Sequence, residues 1–287
     1  MDRHTRDGET FLPSDLLVRS LLLGGLALLL FAVLVVDVLD VADLASRVGQ
    51  ESGATLWSYL FREGAAAEWL QAAALLGVVF YAGVGAGSAG RVGADGLRNL
   101  LTWLALGCSL MLIEDTANAS ETVTMWLDPF LDLPSAAVRA PIFGAIGLIM
   151  LYGPWRNRNV LREHPKALRA FLLGYTFYAV MVAGEVLNQI FDFYVRVGGW
   201  VANTLLGGRM RPLPAEVNPA LEATGVDVNA FLLMDYVYEE TLELVGASFL
   251  LVGVLCLLRK LRADHPRTDP PLERDPDPGI TELDLQI

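Results

Sequence analysis

The chain has few of the residues that metal and redox chemistry use. Among its 287 residues are two cysteines and three histidines. Cys108 and Cys256 both fall in apolar stretches but at different expected depths, so a disulfide between them is not expected. The three histidines lie outside the apolar stretches, which removes the usual ligands of haem and zinc from the membrane core. They are His4, His164 and His265.

Basic side chains are also scarce. The sequence has 21 Lys and Arg residues and 33 Asp and Glu residues. The resulting net charge of −12 argues against a nucleic-acid partner. The two lysines, Lys166 and Lys260, flank apolar stretches, so the sequence offers no buried lysine for a retinal Schiff base. It also lacks the Gly-x-Ser-x-Gly and His-Glu-x-x-His motifs of hydrolases, and no Gly-rich phosphate loop lies beside a predicted strand.

Long apolar runs dominate what remains. Hydrophobic residues make up 54% of the chain and the mean hydropathy is +0.44. Runs of about 17 or more apolar residues are typical of membrane helices. The sequence therefore predicts an all-α, polytopic membrane bundle whose partner is the lipid bilayer. The six predicted spans are 16–36, 68–87, 99–120, 136–155, 170–191 and 238–258, the last within a longer helix over 228–262.

The predicted spans divide the chain into three parts. Residues 1–13 form a polar cytoplasmic segment, 14–263 the six-span domain, and 264–287 a disordered acidic cytoplasmic tail. Placing both termini in the cytoplasm puts fifteen of the 21 Lys and Arg residues inside, in agreement with the positive-inside rule. We expect a multi-pass protein of a cell (inner) membrane, and the acidic bias is typical of some prokaryotic proteins.

The connections carry weaker signals. Residues 37–67 are acidic, and Trp57, Tyr59 and Phe61 predict a short helix at the membrane interface. The stretch from about 121 to 135 reads as a loop because it contains several Asp and Pro residues. The helical pattern of span five continues to Trp200, and Gly83-x-x-x-Gly87 in span two matches a small-residue packing motif.

One spacing recurs in three spans. Sixteen residues separate Arg98 from Glu114, Arg169 from Glu185, and Glu243 from Arg259. Sixteen residues of helix cover roughly 24 Å of a hydrocarbon layer about 30 Å thick. If the arginines mark the cytoplasmic face, the three glutamates lie at one depth in the opposite leaflet.

A second polar layer lies about one turn further out. Spacings of three or four residues place its members on the same helix faces as the glutamates. Asp115 points about 100° away from Glu114 on its helix and would approach the site from the side. Gln71, one turn deeper than Glu68, would bring span two to the same vestibule. The second-layer residues are Asn118, Asn188, Glu239 and Glu240, with Glu68 from span two.

Three carboxylates at one depth require compensation. Ionised groups facing lipid are costly, so we expect them to face protein or water and to bind a cation or share protons. The oxygen ligands suit a hard cation such as Na⁺, Ca²⁺, Mg²⁺ or Mn²⁺. A metal ion at Glu114, Glu185 and Glu243, or a proton there, would serve transport or sensing.

Three other interpretations fit the same residues. The polar cluster can instead fix helix packing or dock a partner in a structural or regulatory subunit. Acidic side chains near span ends also reach water without binding anything. In a third interpretation, one glutamate is a general acid or base and a bound metal the electrophile of a lipid enzyme. Arg139 is expected either at the interface or paired with the cluster.

Overall fold

A computed structural model describes residues 15–44, 47, 55–62, 64–131, 135–209 and 225–265. The predicted segment 1–13, residues 210–224, Glu63 and residues 266–287 of the predicted tail lie outside the described residues. Within the described ranges the chain is all-helical. We number its helices α1 Asp15–Val33, α2 Leu56–Phe61, α3 Ala66–Arg91, α4 Asp95–Ala117, α5 Ala119–Leu131, α6 Ser135–Arg156, α7 Arg158–Glu163, α8 Pro165–Phe191, α9 Phe193–Trp200, α10 Val228–Leu232 and α11 Glu240–Asp264.

Wider turns extend three of these helices. The π-helical turn Leu34–Val38 follows α1, and Val201–Leu205 follows α9. A longer π-helical segment, Leu233–Glu239, joins α10 to α11. Such segments insert extra residues into a helix and change the direction in which the following side chains point.

Six helical segments of the described chain are long and apolar enough to cross a membrane, as the sequence predicted. They are Leu16–Val38, Leu56–Arg91, Asp95–Ala117, Val138–Arg156, Pro165–Asn188 and Val228–Asp264. This confirms the multi-span helical fold. Which side of the membrane the termini occupy stays a prediction.

α11 is the central helix of the bundle. In its most apolar stretch 67% of the residues are buried, against 11% in α6, because α1, α3 and α8 all pack on it. α4 packs against α3, and α6 packs on the outer side of α4. The four-helix unit of α3, α4, α8 and α11 therefore contains most of the core, and α6 lies at its edge.

Glycines allow α8 to approach α11 closely. A Cβ at Gly174 would lie 3.0 Å from the Gly246 carbonyl oxygen, and one at Gly246 would lie 2.8 Å from the Tyr178 ring. In α3 the close approaches to α11 occur at Gly77 and Gly85, where a Cβ would meet Leu251 and Leu258, whereas a Cβ at Gly83 or Gly87 would meet nothing within 4 Å. The Gly83–Gly87 packing prediction is therefore wrong within this chain.

Short helices cover one end of the bundle. Span three ends at Asn118 (φ +42°) and span five at Asp192 (φ +52°), a left-handed conformation that Asn and Asp tolerate. The chain then starts α5 and α9, so the loop predicted after residue 120 was wrong and the extension to Trp200 is present with a break. α2 is present too, but Trp57 and Phe61 are fully buried and Tyr59 is exposed.

Candidate functional site

Gln71 connects two helices in the bundle interior. Its side chain, 1% exposed, projects from α3, and Nε2 donates a 2.7 Å hydrogen bond to Oδ2 of Asp115 on α4. The same amide interacts with the Glu243 carboxylate on α11. Asp115 and Glu243 are also close enough to interact electrostatically. The amide thus lies against two carboxylates from different helices.

Tyr178 completes this arrangement from α8. Its side chain interacts electrostatically with both Asp115 and Glu243. Its hydroxyl oxygen and the Oε1 atom of Gln71 are buried and have no hydrogen-bond partner among the described residues. We call Gln71, Asp115, Tyr178 and Glu243 the Gln71 cluster. A buried polar atom without a partner costs about 1–3 kcal/mol, so the Gln71 cluster has unused capacity for a polar ligand.

The charged neighbours of the Gln71 cluster are acidic. Glu68 and Glu114 act on Asp115, while Glu239 and Glu240 act on Glu243. Neighbouring carboxylates do not all stay ionised in a low-dielectric interior unless their negative charge is compensated. Protons on some carboxyl groups, or a bound cation, would provide that compensation.

A second acidic group forms near the covered end. Tyr194, on α9 and 1% exposed, donates its hydroxyl hydrogen to Oε1 of Glu239. Glu185 on α8 and Asp235 in the π-helical segment interact electrostatically with both. We call Glu185, Tyr194, Asp235 and Glu239 the Tyr194 cluster. Its three carboxylate residues are half-buried.

Burial and the Glu239 carboxylate keep the Tyr194 hydroxyl protonated. Tyr194 lies outside the membrane-spanning segments, and burial raises the pKa of its phenol above the ordinary value, with Glu239 the second cause. The phenol therefore remains a hydrogen-bond donor across the physiological pH range.

Three of the predicted site residues hold helix ends. The Glu114 carboxylate accepts a 3.0 Å hydrogen bond from the Ser120 amide at the start of α5. Asn188 Oδ1 accepts a 3.0 Å bond from the Tyr194 amide at the start of α9, and Glu68 accepts one from the Gly64 amide ahead of α3. The Ser120 and Tyr194 amides belong to first turns, where a helix start leaves amides without an intrahelical partner, while Gly64 lies just ahead of the N-cap of α3.

The three glutamates predicted at one depth have different neighbours. Glu114 and Glu243 both lie beside Asp115, whereas Glu185 lies beside Glu239. Glu239 also interacts electrostatically with Glu243. The carboxylates therefore form one row that runs from α4 through α11 to Glu185 on α8.

The remaining predicted residues lie at the edges of this row. Glu240 is a neighbour of Glu243 on α11. Asn118 is exposed and forms the break after α4, with its carbonyl accepting from the Thr122 amide at 2.9 Å. Arg139 donates from Nε to Ser120 Oγ at 3.3 Å, next to the amide that Glu114 accepts.

No group of three His, Cys, Asp or Glu side chains among the described residues is arranged to hold a metal ion. A hard cation at Glu114, Glu185 and Glu243 therefore stays a prediction. The Gln71 cluster provides two carboxylates, an amide oxygen and a phenol. A carboxylate binds a proton, and the other groups form hydrogen bonds with the protonated carboxyl group.

Sequence reasoning missed two tyrosines. Neither Tyr178 nor Tyr194 was among the residues predicted for the site. The available signal for Tyr178 was its distance of seven residues from Glu185, which places both on one face of α8. For Tyr194 no signal existed, because the break at Asp192 redirects the helix that carries it.

Compared with known proteins, the chain matches no family model, no curated protein and no solved structure.

Proposed function

We propose that this multi-span membrane protein binds a proton within the bundle, at Asp115 and Glu243, and uses it for proton movement or proton sensing. The observation that carries the proposal is the Gln71 amide, which lies against both carboxylates while its own oxygen has no partner among the described residues. A carboxyl hydrogen on either residue is a donor that the amide oxygen or the opposite carboxylate accepts.

The oxygen atoms of the Gln71 cluster favour the binding of a proton over that of a divalent cation. Ca²⁺ takes about six to eight oxygen ligands, and Mg²⁺ requires near-octahedral geometry. Two carboxylates, one amide and one phenol hold six oxygens, and Asp115 Oδ2 already accepts from Gln71 Nε2, so added water would have to complete such a shell. A single proton shared between the carboxylates relieves their repulsion with the groups at hand.

Infrared titration of the reconstituted full chain tests the binding. We expect the carbonyl stretch of a protonated carboxyl group to titrate in the wild type and to change in Asp115→Asn and Glu243→Gln. Glu163→Gln, on the exposed side of α7, is the matched control and should leave the band unchanged. A titrating band that is identical in both cluster variants and in the control would overturn the proposal.

Vesicles loaded with a pH-sensitive dye separate movement from sensing. Faster decay of an imposed pH gradient with wild-type protein than with Asp115→Asn or Glu243→Gln assigns proton movement. Proton binding by infrared without faster decay assigns sensing. Glu163→Gln should behave as the wild type does in both measurements.

A structural or regulatory role is the second candidate, and a separate observation favours it. Glu68, Glu114 and Asn188 all accept amide hydrogens at helix starts near the covered end. On this proposal the polar residues fix how short helices cover the spans. Glu114→Ala would then lower thermal stability, while Asp115→Asn and Glu243→Gln would leave the titrating carboxyl signal unchanged.

A further inference from the structure

We infer that Tyr194 and Glu239 form the access step through which a proton reaches Glu243 and Asp115. The inference rests on the proposed function, since it specifies the route to the same site. Its basis is a row of acidic groups that leads from half-buried positions near the covered end to the buried Gln71 amide.

Tyr194 is held in place at the start of the route. Its ring lies 5.8 Å from the Phe231 ring and 6.3 Å from the Tyr238 ring, and its backbone amide is bound to Asn188. These contacts fix the direction of the hydroxyl, which donates to Glu239. The phenol therefore orients the Glu239 carboxylate and is a positioning residue.

The surroundings of Glu239 concentrate protons. Asp235 from the π-helical segment and Glu185 from α8 face it, together with the tyrosines of α9 and of its own segment. Neighbouring negative charges attract protons from water at the covered end. Because Tyr194 lies beyond Asn188, where its span ends, we expect this cluster to exchange protons with water sooner than the Gln71 cluster does.

In this route the proton passes from Glu239, at the end of the π-helical segment, to Glu243 in the first turn of α11. They are four residues apart, about one turn or 6 Å of rise, and they interact electrostatically. A side-chain rotation or one bridging water spans this separation for proton transfer. The junction between the π-helical segment and α11 lies at this step, and it aims Glu239 at α9.

From Glu243 the proton reaches Asp115, because the Gln71 amide interacts with both carboxylates. The groups that face Glu243 are Asp115 on α4, Gln71 on α3, Tyr178 on α8 and Glu240 on α11. Those that face Asp115 also include Glu68, Glu114 and Cys108. The Tyr178 hydroxyl, which has no partner among the described residues, is placed to hydrogen-bond whichever carboxylate is ionised.

A rapid pH jump tests the route on reconstituted full-length protein. We expect Glu239→Gln to slow the rise of the Gln71-cluster carboxyl band at least about tenfold, because a glutamine cannot carry the proton. Its final amplitude after equilibration should match the wild type, since the binding groups remain. Tyr194→Phe should slow the rise as well, while Glu239→Asp should restore most of the rate and Glu163→Gln should have no effect.

The outcomes separate this inference from the proposed function. Unchanged rates in Glu239→Gln and Tyr194→Phe, with the carboxyl band intact, would overturn the route and leave the binding site in place. A band that does not titrate even in the wild type would instead overturn the proposed function. Glutamine retains the oxygen that accepts from Tyr194, so Glu239→Gln keeps this contact, and circular dichroism checks that the fold is retained.

Discussion

Tyr175 supplies a hydrogen bond that Pro154 removes from α6. Proline has no amide hydrogen, so the carbonyl four residues earlier, that of Met150, loses its helical donor. The Tyr175 hydroxyl on α8 donates to this carbonyl at 2.9 Å. A proline within a span is thus compensated by a side chain of a neighbouring helix, as low-dielectric surroundings require.

Removing the Tyr175 hydroxyl should destabilise the bundle only while Pro154 is present. We expect Tyr175→Phe to lower the free energy of unfolding by about 1 kcal/mol, because the Met150 carbonyl is left without a donor. In a Pro154→Ala background the alanine amide restores the helical bond, and the same change should cost close to nothing. Reversible unfolding of the four proteins of this cycle in mixed micelles gives the coupling.

Tyr152→Phe is the control for the loss of a phenol hydroxyl. Tyr152 is 39% exposed, lies on the same helix as Met150, and packs against Trp103 through its ring. Its substitution should leave the unfolding free energy nearly unchanged in both backgrounds. An equal cost for Tyr175→Phe with and without Pro154 would contradict this account.

At the scale of helices, acidic and amide side chains determine where short helices begin. Asp37, 3% exposed at the end of the first span, accepts hydrogen bonds from the Leu56 amide at 3.2 Å and the Trp57 amide at 2.6 Å. Asp227 accepts from the Ala230 amide at 3.1 Å in α10. Glu114 and Asn188 serve α5 and α9 in the same way, so helix starts at the covered end share one kind of interaction.

Asp37→Ala should loosen α2 selectively. Loss of both accepted bonds is expected to lower the free energy of local opening by about 1–2 kcal/mol. Hydrogen exchange of the peptide spanning 55–62 should therefore accelerate, whereas exchange in α11 should not change. Asp37→Asn keeps an acceptor oxygen and should show a smaller effect, and uniform acceleration across the bundle would contradict a local role.

The spans were predictable from the sequence, but the short helices were predictable only in part. A run of apolar residues needs no information about neighbours, and the six runs correspond to the six spans. α5 was missed because the left-handed residue Asn118 separates it from span three, and its start depends on a bond from Glu114 that only the folded chain supplies. Interactions between residues far apart in space leave no periodic signal.

At the scale of the whole molecule, residue spacing predicts the depth of a side chain but not the direction in which it points. A shared interval of sixteen residues predicts the height of Glu114, Glu185 and Glu243, whereas their neighbours depend on how each helix is rotated. The close approach at Gly174 and Gly246 sets that rotation for α8 and α11. As a result Glu243 belongs to the Gln71 cluster and Glu185 to the Tyr194 cluster. The sequence predicted that Gln71 lies one turn deeper than Glu68. Its interaction with two carboxylates could not be predicted, because it depends on how the helices pack.

The direction of the proton route depends on how the bundle lies in the membrane, and the charge distribution predicts it. The positive-inside rule assigns α7 to the cytoplasm and the covered end, with α2, to the outside. In a protein whose Cys108 and Cys256 are replaced by alanine, a membrane-impermeant maleimide on intact cells should label Tyr59→Cys, at a position 59% exposed on α2. It should leave Glu163→Cys on α7 unlabelled until the cells are opened, and the cysteine-free parent should remain unlabelled throughout. The reverse pattern would contradict the assignment, and the Tyr194 cluster would then draw its protons from the cytoplasm while the route through Glu239 to Asp115 stayed the same.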